Sequence, residues 1–444
     1  MSNNELLLQR SLAAVWHPCT QMKQHALDGL ALPLVPIARG QGVWLIDFEG
    51  RRYLDGISSW WVNLFGHCNP QINAALHAQL DELEHLMLAG FTHRPVIELS
   101  ERLSALTEGK LGHCFYASDG ASATEIALKM SFHSWRNRGR EAKQDFLCLA
   151  GGYHGETVGA LAVTDVALFK DAYAPLLRSA ATVASPDARL AESGESACDV
   201  ARRAAADLEL RLAREHEKIA ALIVEPLVQC ASGMVMYDPE YLRLARQLCD
   251  RYEVHLICDE IAVGCGRTGS FFAHEQAAIR PDFVCLSKGI SGGYLPLSAV
   301  LTTDDVYQSF YDDTISRGFL HSHSYTGNAL ACRAALATLD LFAEHAVIAN
   351  NRALAEHLGT RLSPLADHPR VRCLRQRGMI AAFDVLTDDP AFALRFYRAA
   401  LAREILLRPI GNTVYFMPPY VISRSECDFL VERAIAALED ALMR

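Results

Sequence analysis

Four short apolar runs constrain the fold most: DFLCLA (Asp145–Ala150), IAALIVEP (Ile219–Pro226), VHLICDE (Val254–Glu260) and DFVCLSK (Asp282–Lys288). Each is shorter than a core helix and too continuously apolar for a strand with one wet face. Each therefore reads as a strand buried on both faces. Between them lie stretches of helical spacing, such as GASATEIALKMSFHSWRNRG (Gly120–Gly139), with apolar residues at i, i+3 and i+4. Strands alternating with helices predict an α/β fold whose large domain holds a mostly parallel sheet between helices. The charged stretch ARLAESGESACDVARRAAADLELRLAREHEKI reads as surface helix.

The chain ends follow a different pattern. GVWLIDFEGRRYLDGISS (Gly42–Ser59) reads as strands joined by a turn, and IAAFDVL and VYFMPPYVI near the C-terminus read as further strands. The expected organisation is a large domain over residues 65–335 and a small α+β domain built from residues 1–64 and 336–444. With 444 residues, half of them apolar, there is material for both cores.

A formal net charge of −10 argues against nucleic acid or an anionic membrane surface as the main partner and leaves small molecules. The 13 cysteines are scattered without a C-x-x-C pair. That predicts free thiols in a reducing compartment and no metal site. Gln9 and Arg10 interrupt the first apolar residues, and no apolar run is long enough to span a bilayer. A cytoplasmic protein is expected.

In parallel sheets ligands gather at the carboxyl ends of the strands. One run ends at Asp259-Glu260 and another at Ser287-Lys288, followed by Gly289 and the Gly292-Gly293 pair. A carboxylate and an amine are thus expected at one edge. Pyridoxal phosphate uses that pair: a lysine forms a Schiff base with it and a carboxylate keeps its ring nitrogen protonated. SDGASATE (Ser118–Glu125) offers small residues at a helix start for the phosphate. GGYHGET (Gly151–Thr157) offers Tyr153 for the ring. Singly, each has a plainer reading: a solvated loop lysine, a strand-end cap, an N-cap, a packed aromatic. Their joint order carries the inference. GCGRTG (Gly264–Gly269) fits G-x-G-x-x-G but opens no crossover helix, so a dinucleotide site is not expected there.

The series SDGASATE, GGYHGET, VEPLVQCASGM, CDEIAVGCGRTG, CLSKGISGG and SYTGNALAC resembles class III pyridoxal-phosphate aminotransferases of fold type I, from about Trp16 to Tyr420. WHPCTQM (Trp16–Met22), GISSWWVNLFGH (Gly56–His67) and RPIGNTVYFMPPY (Arg408–Tyr420) look like the branch of that class that aminates 8-amino-7-oxononanoate to 7,8-diaminononanoate in biotin biosynthesis. The resemblance implies S-adenosyl-L-methionine as amino donor; the residues themselves do not separate it from lysine. The alternative is another class III transaminase, acting on ω-amino acids. The resemblance further implies Lys288 as the Schiff-base lysine, Asp259 as the partner of the ring nitrogen, and Tyr153 against the ring and in the substrate pocket. Gly120, Ala121 and Ser122 would hold the phosphate. Trp60, Cys19, Ser322 and Arg408 would meet the substrate, with Arg408 on its carboxylate. His323 and Ser324 would reach the phosphate of a neighbouring subunit, which implies a homodimer. Cys19 stands where the class often has tyrosine, His323 where it has proline and Ser324 where it has threonine.

Overall fold

The computed structural model describes residues 2–25 and 31–443. The expected span 1–64 also includes Met1 and residues 26–30, which lie outside the described residues, as does Arg444. The chain divides into two compact units, one of residues 71–349 and one of residues 1–70 with 350–444. The second break lies beyond 335 because helix Ala329–Glu344 stays with the central unit. It packs on helix Arg94–Leu106, where Arg102 Nη1 sits 2.5 Å from Asp340 Oδ1.

The central unit is built on a seven-stranded sheet. Its strands in chain order are β1 (His113–Ala117), β2 (Asp145–Leu149), β3 (Ala181–Val183), β4 (Ile219–Val224), β5 (His255–Asp259), β6 (Phe283–Leu286) and β7 (Ser298–Thr302). Their spatial order is β1-β7-β6-β5-β4-β2-β3. Neighbours run parallel except at β7, which is antiparallel to both β6 and β1. The sheet is therefore mostly parallel. Every residue of β4, β5, β6 and β7 is buried, as strands covered on both faces require.

One cover is helix Gly120–Asn137, capped by Asp119. Its Ile126, Ala127 and Met130 join Ile223, Ile257, Phe283 and Val300 in one hydrophobic core cluster. The charged stretch forms helix Ala197–Glu215, started by a capping box between Ser196 and Asp199. It is amphipathic, burying Val200, Ala201, Ala204, Ala205, Leu208 and Leu212.

The other unit joins the two chain ends. Strands Ile37–Gln41, Trp44–Asp47 and Arg52–Asp55 form a sheet completed by Ile405–Leu406, which pairs in parallel with Leu54 and Asp55. Strands Val371–Arg377, Ile380–Val385 and Thr413–Phe416 form a second sheet, antiparallel throughout. Helices Phe392–Ala402 and Arg424–Leu442 pack together in the same unit, giving it an α+β character. Among the described residues no helix is long and apolar enough to cross a membrane.

Leu256 in the central strand β5 is completely buried. Leu256→Ala is expected to lower the unfolding free energy by about 2–5 kcal/mol, read from urea denaturation. A loss well below that would contradict the close packing of β5.

Candidate active site

The register of β5 against β6 sets the chemistry at the sheet edge. Asp259 is opposite Cys285 on the parallel neighbour, and Glu260 N–H donates to Cys285 O at 3.0 Å. Both strands end at the same level, one at Asp259 and the other just before Lys288. Ser287 is extended, and Lys288 then takes a positive φ of 46° as it opens a 3₁₀ turn to Ser291. Left-handed backbone at a lysine is unusual and marks a constrained site. Part of the residue surface of Lys288 remains open, yet its amine lies deep enough that burial is the largest influence on it. Burial lowers its pKa below the ordinary lysine value, opposed chiefly by the negative charge of Asp259.

Asp259 is buried and held from two sides. Its Oδ1 accepts from Ile261 N–H at 3.1 Å, and its Oδ2 faces His154 Nδ1 at 2.7 Å. A carboxylate can only accept there, so the proton is assigned to Nδ1. His154 is itself fixed: its N–H donates to Thr164 Oγ1 at 3.0 Å, and its carbonyl accepts from Thr124 Oγ1 at 2.9 Å. His154 Nε2, also buried, has no hydrogen-bond partner among the described residues. His154 is thus the support of Asp259.

Glu225 was missed by the sequence reading. It follows β4 and is buried, its carboxylate accepting Cys230 N–H at 2.9 Å and Tyr153 N–H at 3.0 Å. Burial pushes its pKa up to about 7, and the nearby charge of Asp259 adds to the rise; His154 and the two backbone donors oppose it. The E-P dipeptide at a strand end was the only local signal, and it reads as a strand stop.

The start of helix Gly120–Asn137 supplies an anion cradle on the same edge. Asp119 takes Ser122 N–H at 2.9 Å and also accepts the Ser122 hydroxyl at 2.9 Å. The expected hydroxyl of Ser122 is thus engaged in the cap. Among the described residues no hydrogen bond takes the N–H groups of Gly120 and Ala121. A Cβ on Gly120 would come within 3.0 Å of Ile261 Cγ2, and one on Gly155 within 2.6 Å of Ala121 Cβ. The Tyr153 loop, the helix start and the end of β5 are therefore packed as one surface. Tyr153 donates its hydroxyl to Glu156 at 2.9 Å and meets Phe169 edge-on with centroids 5.3 Å apart. Open helix N–H groups for a phosphate, a buried carboxylate for a pyridinium and a desolvated amine are the donor set pyridoxal phosphate requires.

Ser322 and Ser324 are exposed. Ser324 O accepts from His85 Nε2 at 2.9 Å, and His323 Nε2 lies 3.1 Å from His321 Nε2, whose Nδ1 is 2.7 Å from Lys129 Nζ. No hydrogen bond among the described residues joins these three to Lys288, Asp259 or the helix start.

The remaining candidates belong to the other unit. Trp61 is buried, its Nε1–H donating to Tyr415 Oη at 3.1 Å, whereas Trp60 is 45% exposed. The Arg408 guanidinium lies 5.3 Å from the Trp60 ring centroid, within cation–π range. Ser58, Ser59, Trp60 and Trp61 have φ of 51°, 46°, 71° and 72°, four consecutive left-handed residues without a glycine. Each costs roughly 1–2 kcal/mol against right-handed backbone. Cys19 is exposed, with a φ of 49°.

Glu225 also yields a pH prediction. Its folded pKa of about 7 exceeds the ordinary 4.5, so between these values the folded chain holds a proton that the unfolded chain has released. Its contribution is present below pH 4.5 and is lost as pH rises through 7. In the cofactor-free protein, stability is expected to fall across this window more steeply than in Glu225→Gln. Equal slopes in thermal melts would contradict the assignment.

With this geometry established, known proteins give the family. Residues 28–438 match the family described as Aminotransferase class-III. The adenosylmethionine-8-amino-7-oxononanoate aminotransferase of Helicobacter pylori is 46% identical over 450 residues, covering 100% of this chain and 99% of that one. The protein of the same name from Geobacter sulfurreducens is 38% identical, covering 94% of each. Among solved structures, the same-named aminotransferase from Methanocaldococcus jannaschii superposes with a TM-score of 0.91 at 33% identity, over 99% of this chain and 100% of that one. An (S)-enantioselective omega-transaminase from Thermomicrobium roseum gives 0.93 at 32%, over 99% and 98%. The fold is therefore that of the fold type I transferases, and the chain belongs to the class III aminotransferases, a pyridoxal-phosphate-dependent family.

Proposed function

We propose that the protein aminates 8-amino-7-oxononanoate to 7,8-diaminononanoate, a step of biotin biosynthesis, with S-adenosyl-L-methionine as the amino donor. The observation that carries the substrate is the pairing of Arg408 with the half-exposed ring of Trp60. It offers an apolar face and a cation to a long aliphatic acid whose carboxylate lies far from its ketone. The names of the Helicobacter pylori and Geobacter sulfurreducens relatives support the same reading.

Pyridoxal phosphate, when bound, supplies a protonated ring that delocalises the charge left as a substrate carbon loses its proton. The remaining work falls to the chain. The open N–H groups of Gly120 and Ala121, at the positive end of their helix, bind the phosphate. Asp259 holds its negative charge against the ring nitrogen, and His154 keeps that carboxylate in one orientation. Tyr153 would pack against the ring. Lys288 would hold the cofactor through its amine, and the same amine would take up and give back the proton that leaves the substrate carbon. The lowered pKa of Lys288 keeps a larger share of it neutral and able to accept. The two half-reactions would share one pocket, so donor and acceptor take turns in ping-pong fashion. Trp60, Ser322 and Cys19 contact substrate and Arg408 holds the distal carboxylate. His323 and Ser324 reach the phosphate of a second subunit, making a homodimer the working unit. The buried thiols of Cys148, Cys230, Cys249, Cys258, Cys265, Cys285, Cys332 and Cys427 suit a reducing compartment, and we read the protein as cytoplasmic.

The testing experiment is single-turnover absorbance of each half-reaction. Arg408→Ala should lower kcat/KM for 8-amino-7-oxononanoate by about 30-fold to several thousand-fold, as loss of a partner for a desolvated carboxylate does. The half-reaction with adenosylmethionine, which lacks that distal carboxylate, should change far less. Equal losses would remove Arg408 from the substrate. A wild type that ignores the keto acid but reacts briskly with a short ω-amino acid would overturn the reading in favour of an ω-amino-acid transaminase.

Assembly gives a second prediction. Sedimentation under assay conditions should show a homodimer, with activity lost on dilution to monomer; a fully active monomer would contradict the roles of His323 and Ser324.

A further inference from the structure

The left-handed turn Ser58–Trp61 does not hold itself. Its four residues lack the glycine that this conformation favours, so something outside the turn must over-determine it. A buried carboxylate supplies several of the ties. Asp55 is completely buried at the end of its strand, and its Oδ1 accepts Ser59 N–H at 2.9 Å and Ile57 N–H at 3.4 Å. Its Oδ2 accepts the Ser59 hydroxyl at 2.7 Å and faces His67 Nε2 at 3.0 Å.

His67 is fixed from its other side. Asn63 Nδ2 donates toward His67 Nδ1 at 3.3 Å, which leaves Nε2 to carry the proton toward Asp55. The backbone of His67 exchanges two hydrogen bonds with Gly42, at 3.0 and 2.7 Å. Gly40 leaves the room: a Cβ there would lie 2.6 Å from His67 Cβ. The far end of the turn is tied by Ser58 Oγ, which donates to Met417 O at 2.7 Å. Trp61 is buried as the anchor while Trp60, next to it, is turned out beside Arg408.

We propose that Asp55 and His67 are positioning residues for substrate selection: they lock the left-handed turn that presents Trp60 to the Arg408 guanidinium. The inference rests on the reading of Trp60 and Arg408 as the substrate-binding pair. In this arrangement the strain in the turn is retained because a relaxed, right-handed turn would point the Trp60 ring elsewhere. Arg408 would then lose the flat face that orients it. Asp55 and His67 touch neither substrate nor cofactor and act only through Trp60.

The test uses holoenzyme labelled with 5-fluorotryptophan, with the Trp60 fluorine line assigned by its loss in Trp60→Phe. Asp55→Asn tests the carboxylate directly. Ser59→Ala, which removes one half-buried hydroxyl and no charge, covers the case that Asp55→Asn does not fold. Ser59→Ala should shift or broaden the Trp60 line and raise KM for 8-amino-7-oxononanoate about three- to tenfold, the effect of one lost hydrogen bond. Its kcat and its half-reaction with adenosylmethionine should stay at the wild-type level. In a Trp60→Phe background the same substitution should add little. An unmoved Trp60 line in Ser59→Ala overturns the proposal whatever the kinetics. A moved line with unchanged keto-acid KM also overturns it if Arg408→Ala does raise that KM. A moved line with keto-acid KM unchanged even in Arg408→Ala supports the clamp and instead sinks the substrate reading.

Discussion

A lysine amine taken out of water beside a buried carboxylate is the interaction on which the rest of the central unit depends. Desolvating an ammonium and a carboxylate costs several kcal/mol for each ion, recovered only with good geometry and further hydrogen bonds. Here the geometry comes from the sheet. Parallel pairing of β5 and β6 brings Asp259 level with Cys285, so the next turn of chain must carry Lys288 to the same edge. The further hydrogen bonds come from His154 and Ile261 N–H. The same burial that makes the pair costly lowers the lysine pKa, as the base role proposed for Lys288 requires.

The second unit stores cost in another form. Four left-handed residues without glycine are sustained by Asp55, His67 and the ties of Ser58 and Trp61. Backbone strain of this kind persists where the surroundings over-determine it, and it is found where a side chain must be aimed. The side chain aimed here is Trp60.

How much could be read in advance follows from which signals are local. Buried parallel strands announce themselves as short continuous apolar runs, so the strand ends bearing Asp259 and Lys288 were legible. The helix at Gly120 was legible from its spacing and small first turn. The amphipathic face of Ala197–Glu215 was not, because alanines supply half of what it buries. Glu225 escaped because an acid before a proline looks like a strand stop, and only the fold brings Tyr153 and Cys230 N–H to it. The turn at Ser58–Trp61 escaped for a stronger reason: no residue in SSWW favours positive φ, and its partners Asp55, His67 and Met417 are set by tertiary structure. Gly264–Gly269 matches a nucleotide fingerprint in letters only; it forms turns after Asp259-Glu260, with Arg267 fully buried among them.

Lys288, and no other lysine, is proposed to carry the cofactor. Borohydride reduction of the holoenzyme, followed by proteolysis and mass spectrometry of the peptides, tests it directly. The reduced phosphopyridoxyl mass is expected on the peptide containing Lys288, with Lys129 and the buried Lys143 unmodified. The same mass on either of those residues, or on no lysine in an active preparation, would contradict it.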